Sequence, residues 1–289
     1  MPNAGKVLLK DVLVDYANHL HRRPISDNTR KAFLGDVRIF VRDIGEDRPI
    51  YKATGDQIRD WLTQQERSQH AGSPKSVERR LTSLKVFFDW AHTSGYLAIN
   101  PADPIAYRPL LDPLPEYLTE AQTTAVVMAA QQVASGEKLE IRPLTVIMLV
   151  LETGMKKSEV LNLTLADIDR SNTETPSVWV RYKQRHLKFK NRSLAISKDC
   201  LKVMDEQIVR FACIEQLFTC TGRNLEYLFN RRVAPLANIP SLTFEMLRWT
   251  SALVDFRSGD MNDDQMRFKY GLSPAGWLEM QAKLERIQN

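Results

Sequence analysis

The sequence is poor in histidine and cysteine, and it has no long apolar run. Its 289 residues include five histidines, and none follows His186. Three cysteines cannot form a paired disulfide framework, so we expect a cytoplasmic protein. The longest apolar stretch ends at Glu152 after about eight residues, whereas a membrane span needs about 20. Residues 1–6 are not followed by the apolar segment of a secretory signal, so neither a secreted nor a membrane protein is expected.

Motifs for nucleotides and metals are also missing. The chain has neither a GxGxxG nor a GxxxxGK pattern, so no glycine-rich phosphate loop is predicted. Cys213 and Cys220 have no histidine near them in the sequence, and we interpret them as small buried residues rather than metal ligands. We therefore expect no metal and no cofactor.

Charge and proline divide the chain into two parts. The 40 basic and 35 acidic residues give a net charge of +5, which permits a polyanionic partner. Residues 1–108 carry 17 basic and 13 acidic side chains, whereas residues 109–289 carry 23 and 22. Five of the 14 prolines lie between positions 100 and 116, and proline disfavours helix. We predict domains over 1–108 and 117–289, joined by a linker over 109–116.

The first domain is predicted to be all-helical. Apolar residues recur at helical spacing over 7–21, 29–44, 55–67 and 74–93. Ser73 can cap the last of these helices, Pro74 suits its first position, and Gly95 ends it. Val77, Leu81, Leu84 and Phe88 form its apolar stripe. Basic residues lie opposite this stripe or at its edge, and a solvated face explains them as well as a binding surface does: Lys75, Arg79 and Arg80.

The second domain is predicted to mix helices with a small sheet. Helices are expected over 119–134, 143–152, 157–163 and from Leu201 onward. Residues 178–197 alternate as strands do and predict a β-hairpin that turns near His186. Six basic residues and no acid lie within it, and on a hairpin they would share one face: Arg181, Lys183, Arg185, Lys188, Lys190 and Arg192. A nucleic-acid contact is favoured over lysines that merely protect an edge strand.

The order of these features resembles the tyrosine recombinases, or phage integrases. The matching residues in the first part are 29–33 with Asp36 and Phe40, 76–91, and 95–102. In the second part they are 114–119, 149–163 and 167–169. The resemblance implies a helical core-binding domain followed by a mixed α/β catalytic-type domain. It also implies metal-free DNA cutting and joining, in which a tyrosine forms a 3′-phosphotyrosine and two arginines bind the phosphate.

Several catalytic positions of the family are altered here. The resemblance places Lys156 at the first arginine and Lys183 or Lys188 at the general-acid lysine. The His-x-x-Arg motif matches Glu245 and Arg248, and Arg248 is thus retained. The later histidine matches Leu272, and the nucleophilic tyrosine matches Gln281, which cannot form the phosphotyrosine. No tyrosine follows Tyr270, and Tyr270 lies too close to Arg248 for the usual spacing.

Our leading interpretation is a DNA-binding protein of this fold that does not cleave DNA. It would hold the duplex between its two domains, as an accessory, architectural or regulatory factor of a phage or mobile element, alone or with an active relative. The predicted contacts are the six basic residues of the hairpin, the three of the 74–93 helix, and Arg30, Lys31, Lys156 and Arg248. An active recombinase that uses Tyr270 and a helical scaffold without DNA binding are the alternatives. The final helix, 277–287, would dock on a neighbour or pack within its own chain.

Overall fold

A computed structural model describes residues 7–67, 74–107, 113–135 and 139–288. The chain divides into two compact units, Met1–Asp112 and Pro113–Asn289. The predicted cap Ser73 and linker positions 109–112 lie outside the described residues. In the described part of the chain, no helix combines the length and apolar character that crossing a membrane requires.

The described residues of the first unit form four α-helices, as the spacing of their apolar residues predicts. They are α1 Leu9–Arg22, α2 Asp27–Ile44, α3 Gly55–Arg67 and α4 Pro74–Thr93. The α2 helix begins two residues before the predicted start because the Ser26 hydroxyl accepts a hydrogen bond from the Thr29 N–H. The predicted stripe of α4 is buried, and Phe88 packs edge-on against Phe40 of α2.

The second unit surrounds a three-stranded antiparallel sheet with helices. The helices are α5 Glu120–Ser135, α6 Arg142–Thr153, α7 Lys157–Leu161, α8 Lys198–Arg210, α9 Gly222–Leu228, α10 Phe244–Ser258, α11 Asp263–Lys269 and α12 Pro274–Gln288. The strands β1 Ile168–Asp169, β2 Ser177–Val180 and β3 Arg192–Ala195 lie in the order β1-β2-β3. The mostly helical fold with a small sheet is confirmed.

The predicted hairpin is shorter than its alternating pattern, and this part of the prediction is wrong. Strand pairing ends where Val180 faces Arg192. Residues Arg185–Lys190 instead form a 3-10 turn. The Tyr182 N–H donates to the side-chain Oδ1 of Asn191 at 2.8 Å rather than continuing the backbone ladder. Six like charges on one narrow ribbon would repel one another, which disfavours the longer hairpin.

The final helix packs inside its own unit. Trp277, Met280 and Leu284 of α12 are buried in a cluster with Trp249 and Leu253 of α10. Of the two arrangements predicted for this helix, docking on a neighbour or packing within its own chain, the structure has the second.

This packing predicts unequal effects for two leucines of α12. Leu284→Ala should lower the free energy of unfolding by about 2–5 kcal/mol, because it removes a fully buried side chain and leaves a cavity. Leu278→Ala is the matched control, since Leu278 is 66% exposed, and it should change stability by less than about 0.5 kcal/mol. Urea unfolding of the full chain measures both. Equal effects would contradict the observed packing of α12.

Candidate functional site

The site begins at the break between α6 and α7. Gly154 ends α6 in the left-handed conformation with φ of 62°, and a Cβ here would overlap the ring of Tyr270. Only glycine therefore fits this position. Lys156 then precedes α7, and its N–H donates to the Glu159 carboxylate at 2.8 Å. The turn thus fixes Lys156 at the start of α7 and directs Glu159 into the interior.

Glu159 forms a buried ion pair with Arg192 of β3. Arg192 Nη1 and Nη2 donate to the two carboxylate oxygens at 3.0 and 2.8 Å, and the Tyr182 hydroxyl donates to the same carboxylate at 2.5 Å. Burial opposes the charge of Glu159, but the hydrogen bonds and charge of Arg192 hold its pKa below the ordinary value. Burial and the bond to Glu159 raise the pKa of Tyr182 to about 12. The carboxylate therefore stays ionised and fully bonded.

Three cationic side chains converge on the end of α11, and we call Lys156, Arg192 and Arg248 the cation cluster. Arg192 Nε donates to the Lys269 carbonyl at 2.8 Å. Arg248 Nη2 donates to the Tyr270 carbonyl at 2.8 Å, and Lys156 Nζ donates to the Gly271 carbonyl at 3.0 Å. A helix end leaves carbonyl oxygens without helical partners, and the cation cluster supplies them. Gly271 has φ of 56°, and a Cβ there would lie 2.6 Å from Arg192 Nη1.

Burial and neighbouring charges both act on the cations of the cluster. Burial lowers the pKa of Lys156 to about 8, and the charges of Arg248, Lys190 and Arg192 act in the same direction against the opposing effect of Glu159. Burial also lowers the pKa of Arg248, which donates a further hydrogen bond to the Gly154 carbonyl. Glu159 neutralises Arg192, whereas Lys156 and Arg248 bond neutral carbonyl oxygens. The half-buried Lys156 therefore offers positive charge that an anion at the surface could use.

Tyr270 is buried against the cation cluster with its hydroxyl facing inward. The side chain is 0% exposed, its ring lies 5.2 Å from the Arg248 guanidinium carbon, and its hydroxyl donates to Asp255 Oδ2 at 2.6 Å. Ser251 Oγ is 3.0 Å from the same hydroxyl. Burial, reinforced by the charge of Asp255, raises the pKa of Tyr270 well above its ordinary value. In this conformation the hydroxyl neither ionises readily nor faces solvent.

The other three residues that the resemblance places at catalytic positions are Glu245, Leu272 and Gln281. Glu245 is exposed and accepts a hydrogen bond from Trp249 Nε1 at 2.9 Å. Leu272 is half-buried after α11, and Gln281 is half-buried on α12. Within the described ranges, no group of three or more histidine, cysteine, aspartate or glutamate side chains could hold a metal ion.

The basic segment, defined here as residues 181–190, is an exposed connection rather than a ribbon face. Lys183, Arg185 and Lys188 are exposed, and no carboxylate of the described residues forms an ion pair with them. Arg181 pairs with Asp167 at 2.7 Å. The structure also corrects the geometry expected for Arg192, because that side chain is buried in its pair with Glu159 instead of sharing an exposed basic face.

The predicted contacts of the first unit have mixed surroundings. Lys31 and Lys75 are exposed, whereas Arg30 is half-buried and donates to the Leu20 carbonyl at 3.2 Å. Arg79 pairs with the buried Asp36, and Arg80 donates to Gln65 Oε1 at 2.6 Å. The basic face of α4 is therefore partly used to hold α4 against its neighbours.

Glu159 and Tyr182, which organise the site, are not among the predicted site residues. In the sequence, Glu159 is one residue of the matching range 149–163, and Tyr182 is one residue of the alternating pattern over 178–197. The available signal was the acid at 159 beside the apolar Val160, in a turn that follows a largely apolar helix. A buried acid requires a compensating partner, but the sequence pattern does not distinguish Arg192 from Arg181, which also borders a strand.

The buried pair predicts a large loss of stability when one partner is removed. Arg192→Met should cost about 3–5 kcal/mol, because it leaves an ionised Glu159 without its counter-charge. Arg181→Met is the matched control, since it breaks the half-exposed pair with Asp167 and should cost less than about 1 kcal/mol. Urea unfolding measures both variants. A similar loss in the two would contradict the central position of the Glu159–Arg192 pair.

Comparison with known families gives two matches along the chain. Residues 13–95 match the phage integrase N-terminal SAM-like domain, and residues 116–253 match the phage integrase family. A tyrosine recombinase of Thermosipho africanus is 29% identical over 161 residues, which cover 55% of this chain and 54% of the relative. Tyrosine recombinase XerC of Mycobacterium leprae is 30% identical over 166 residues, with the same two coverages of 55% and 54%. The chain thus spans about half the length of the curated relatives it matches.

Solved structures share the fold over nearly the whole chain. The Tn1549 transposon integrase in complex with transposon right end DNA has a TM-score of 0.74 and 18% identity, and covers 98% of this chain and 100% of the integrase. A lambda integrase dimer bound to a COC' core site has a TM-score of 0.71 and 16% identity, and covers 95% of each chain. With both domain matches in their expected order, the chain belongs to the tyrosine recombinase, or phage integrase, family.

Proposed function

We propose that this chain binds double-stranded DNA and holds it without cleaving it. The observation that carries DNA binding is the exposed basic segment, in which Lys183, Arg185 and Lys188 have no carboxylate partner among the described residues. Cations without acidic partners release counterions from DNA when they contact phosphates, which makes binding favourable. The DNA-bound lambda and Tn1549 integrases of the same fold support this choice of partner.

The same proposal assigns the cation cluster a weaker part in phosphate binding. Lys156 replaces the planar fork of an arginine with a single ammonium, which cannot hold two phosphate oxygens at once. With a pKa of about 8, it is also half deprotonated at pH 8 in the absence of DNA. Lys156 and Arg248 would therefore attract a nearby phosphate without positioning it for displacement.

The absence of a suitable nucleophile supports binding without cleavage. The resemblance places Gln281 at the family's nucleophile position, and glutamine cannot form a phosphotyrosine. Tyr270 is the last tyrosine of the chain, and its hydroxyl is engaged with Asp255 and Ser251 in the interior. Attack by Tyr270 would first require breaking both contacts and ionising a phenol whose pKa is raised. The active-recombinase alternative gains no support from this environment.

The proposed role is accessory, architectural or regulatory in recombination or integration of a mobile element. A second copy of this chain, or an active relative, would occupy the other half of a paired DNA site. The lambda integrase dimer on its core site supports this arrangement as part of the proposal. The proposal includes a cytoplasmic location, where such DNA is found in a bacterial host.

Binding of duplex DNA should weaken steeply as salt rises and should depend on the basic segment. The triple variant Lys183→Ala, Arg185→Ala, Lys188→Ala should reduce the slope of log affinity against log salt by about 0.9 for each phosphate contact that is lost. Fluorescence anisotropy with a 30-base-pair duplex at several salt concentrations gives this slope.

A matched triple variant controls for net charge. Arg170, Lys198 and Lys202 are exposed cations that pair with acids of the same unit. Replacing these three with alanine removes the same charge and should leave most of the slope intact. If wild-type protein does not bind duplex, or binds without dependence on salt, the proposal fails and the helical-scaffold alternative gains support.

No covalent complex with DNA should form. A suicide duplex with a nick near the bound site, which traps phosphotyrosine in active recombinases, should yield no adduct on denaturing gels. Tyr270→Phe should behave like the wild type in this assay, because the Tyr270 hydroxyl is not a nucleophile in this proposal. An adduct that disappears in Tyr270→Phe would overturn the proposal in favour of an active enzyme.

A further inference from the structure

The basic segment carries one large apolar side chain on its surface. Phe189 is 67% exposed on the 3-10 turn, between Lys188 and Lys190. The Lys190 ammonium lies 5.5 Å from the centre of the Phe189 ring. Single exposed apolar residues are common on proteins, so exposure alone assigns no role to Phe189. Its surroundings are what distinguish it.

Phe189 borders a cavity of about 150 Å³ together with a second exposed phenylalanine. The lining residues are Phe189, Lys190, Arg267, Phe268, Gly271 and Leu272. Phe268, on α11, is 55% exposed. An apolar cavity of about 150 Å³ holds a benzene ring, so the space suits one six-membered aromatic ring. We call this space the aromatic cavity.

The charges around the aromatic cavity select an anionic ligand. Lys190 and Arg267 line it, and no acid is among its described lining residues. Arg267 pairs at 2.9 Å with Asp264, whose carboxylate is exposed. The neighbouring groove on the other side of Phe268 is lined by the acids Glu152 and Asp264 as well as by Lys269. An aromatic ring attached to phosphates is therefore favoured in the aromatic cavity over the neighbouring groove.

We propose that the aromatic cavity accepts one unpaired pyrimidine base of bound DNA. The base stacks on Phe189 in the cavity that Phe268 also lines, and Lys190 contacts a phosphate that flanks it. Bases bind aromatic side chains through their flat faces, and proteins that take a base out of the helix hold it in this manner. This inference rests on the proposed DNA binding and adds a preference for DNA with an extrahelical pyrimidine.

Two otherwise identical duplexes test the proposal. One is continuous, and the other carries a single unpaired thymine at its centre. The wild type should bind the bulged duplex about tenfold more tightly, because stacking one base on an aromatic ring gives an effect of this order. Phe189→Ala should remove this preference, so that it binds the two duplexes with equal affinity. Phe189→Trp should keep the preference for the bulged duplex, because it retains an aromatic ring. Phe189→Leu should lose this preference.

A second measurement reports on the base itself. Permanganate oxidises unstacked thymine, so bound wild type should protect the unpaired thymine and Phe189→Ala should leave it reactive. Tyr227→Ala is the matched control, because Tyr227 is an aromatic residue of the same unit that is 59% exposed. This variant should retain both the preference and the protection.

The outcomes separate this inference from the proposed function. If the wild type binds both duplexes equally and with steep salt dependence, the base pocket is wrong while DNA binding stands. If neither duplex binds, the proposed function fails as well. If Phe189→Ala instead turns a dimer into a monomer in sedimentation experiments without changing the preference, the aromatic cavity is a protein interface and the proposal is overturned.

Discussion

A carboxylate and a guanidinium withdrawn from water are stable only when each has a full set of partners, and Glu159 and Arg192 obtain theirs from several elements. The pair joins α7 to β3, Tyr182 reaches it from beyond β2, and Arg192 continues to the carbonyl of Lys269 at the end of α11. The turn after α6 depends on the same carboxylate, because Glu159 also accepts the Lys156 N–H. The buried Glu159–Arg192 pair thus links the orientation of Lys156, the register of β3 and the position of the end of α11.

The C-terminal end of α11 accepts hydrogen bonds from the cation cluster, and this explains why Lys156 and Arg248 remain in the interior. The carbonyl oxygens at the end of a helix carry partial negative charge and attract cations. They are weaker partners than a phosphate, which carries a full charge and can accept two bonds from one guanidinium. The carbonyls of Tyr270 and Gly271 therefore satisfy Arg248 and Lys156 without neutralising them. Burial is the main cause of the lowered pKa of Lys156, and the neighbouring cations lower it further. A phosphate close to Lys156 would raise that pKa again.

The sequence predicts the bounds of helices well where proline and glycine mark them. It predicts strands poorly where basic residues alternate without a buried apolar face. Both bounds of α3 and α4 follow from their apolar spacing, with Pro74 at the first position of α4 and Gly95 after its end. The predicted hairpin is too long, because basic residues alternate with other residues beyond Val180 where strand pairing has ended. Alternating charged residues give the spacing of a strand without an apolar face to bury. Lys156 and Arg248 could be located from motif spacing. Their partners could not, because a backbone carbonyl has no sequence signal and Gly271 lies 115 residues from Lys156.

Holding DNA and cutting it make different demands on the same fold. Cutting requires one nucleophile aligned with one phosphate, so in the proposed function the glutamine at position 281 would prevent it. Binding depends on many exposed cations, and none of Lys183, Arg185 and Lys188 relies on that position. Glu245 adds negative charge that acts on the central Arg248, which makes the centre of the site less favourable for phosphate. In the proposed function, the main DNA contacts therefore lie on the exposed basic segment rather than on the buried cation cluster.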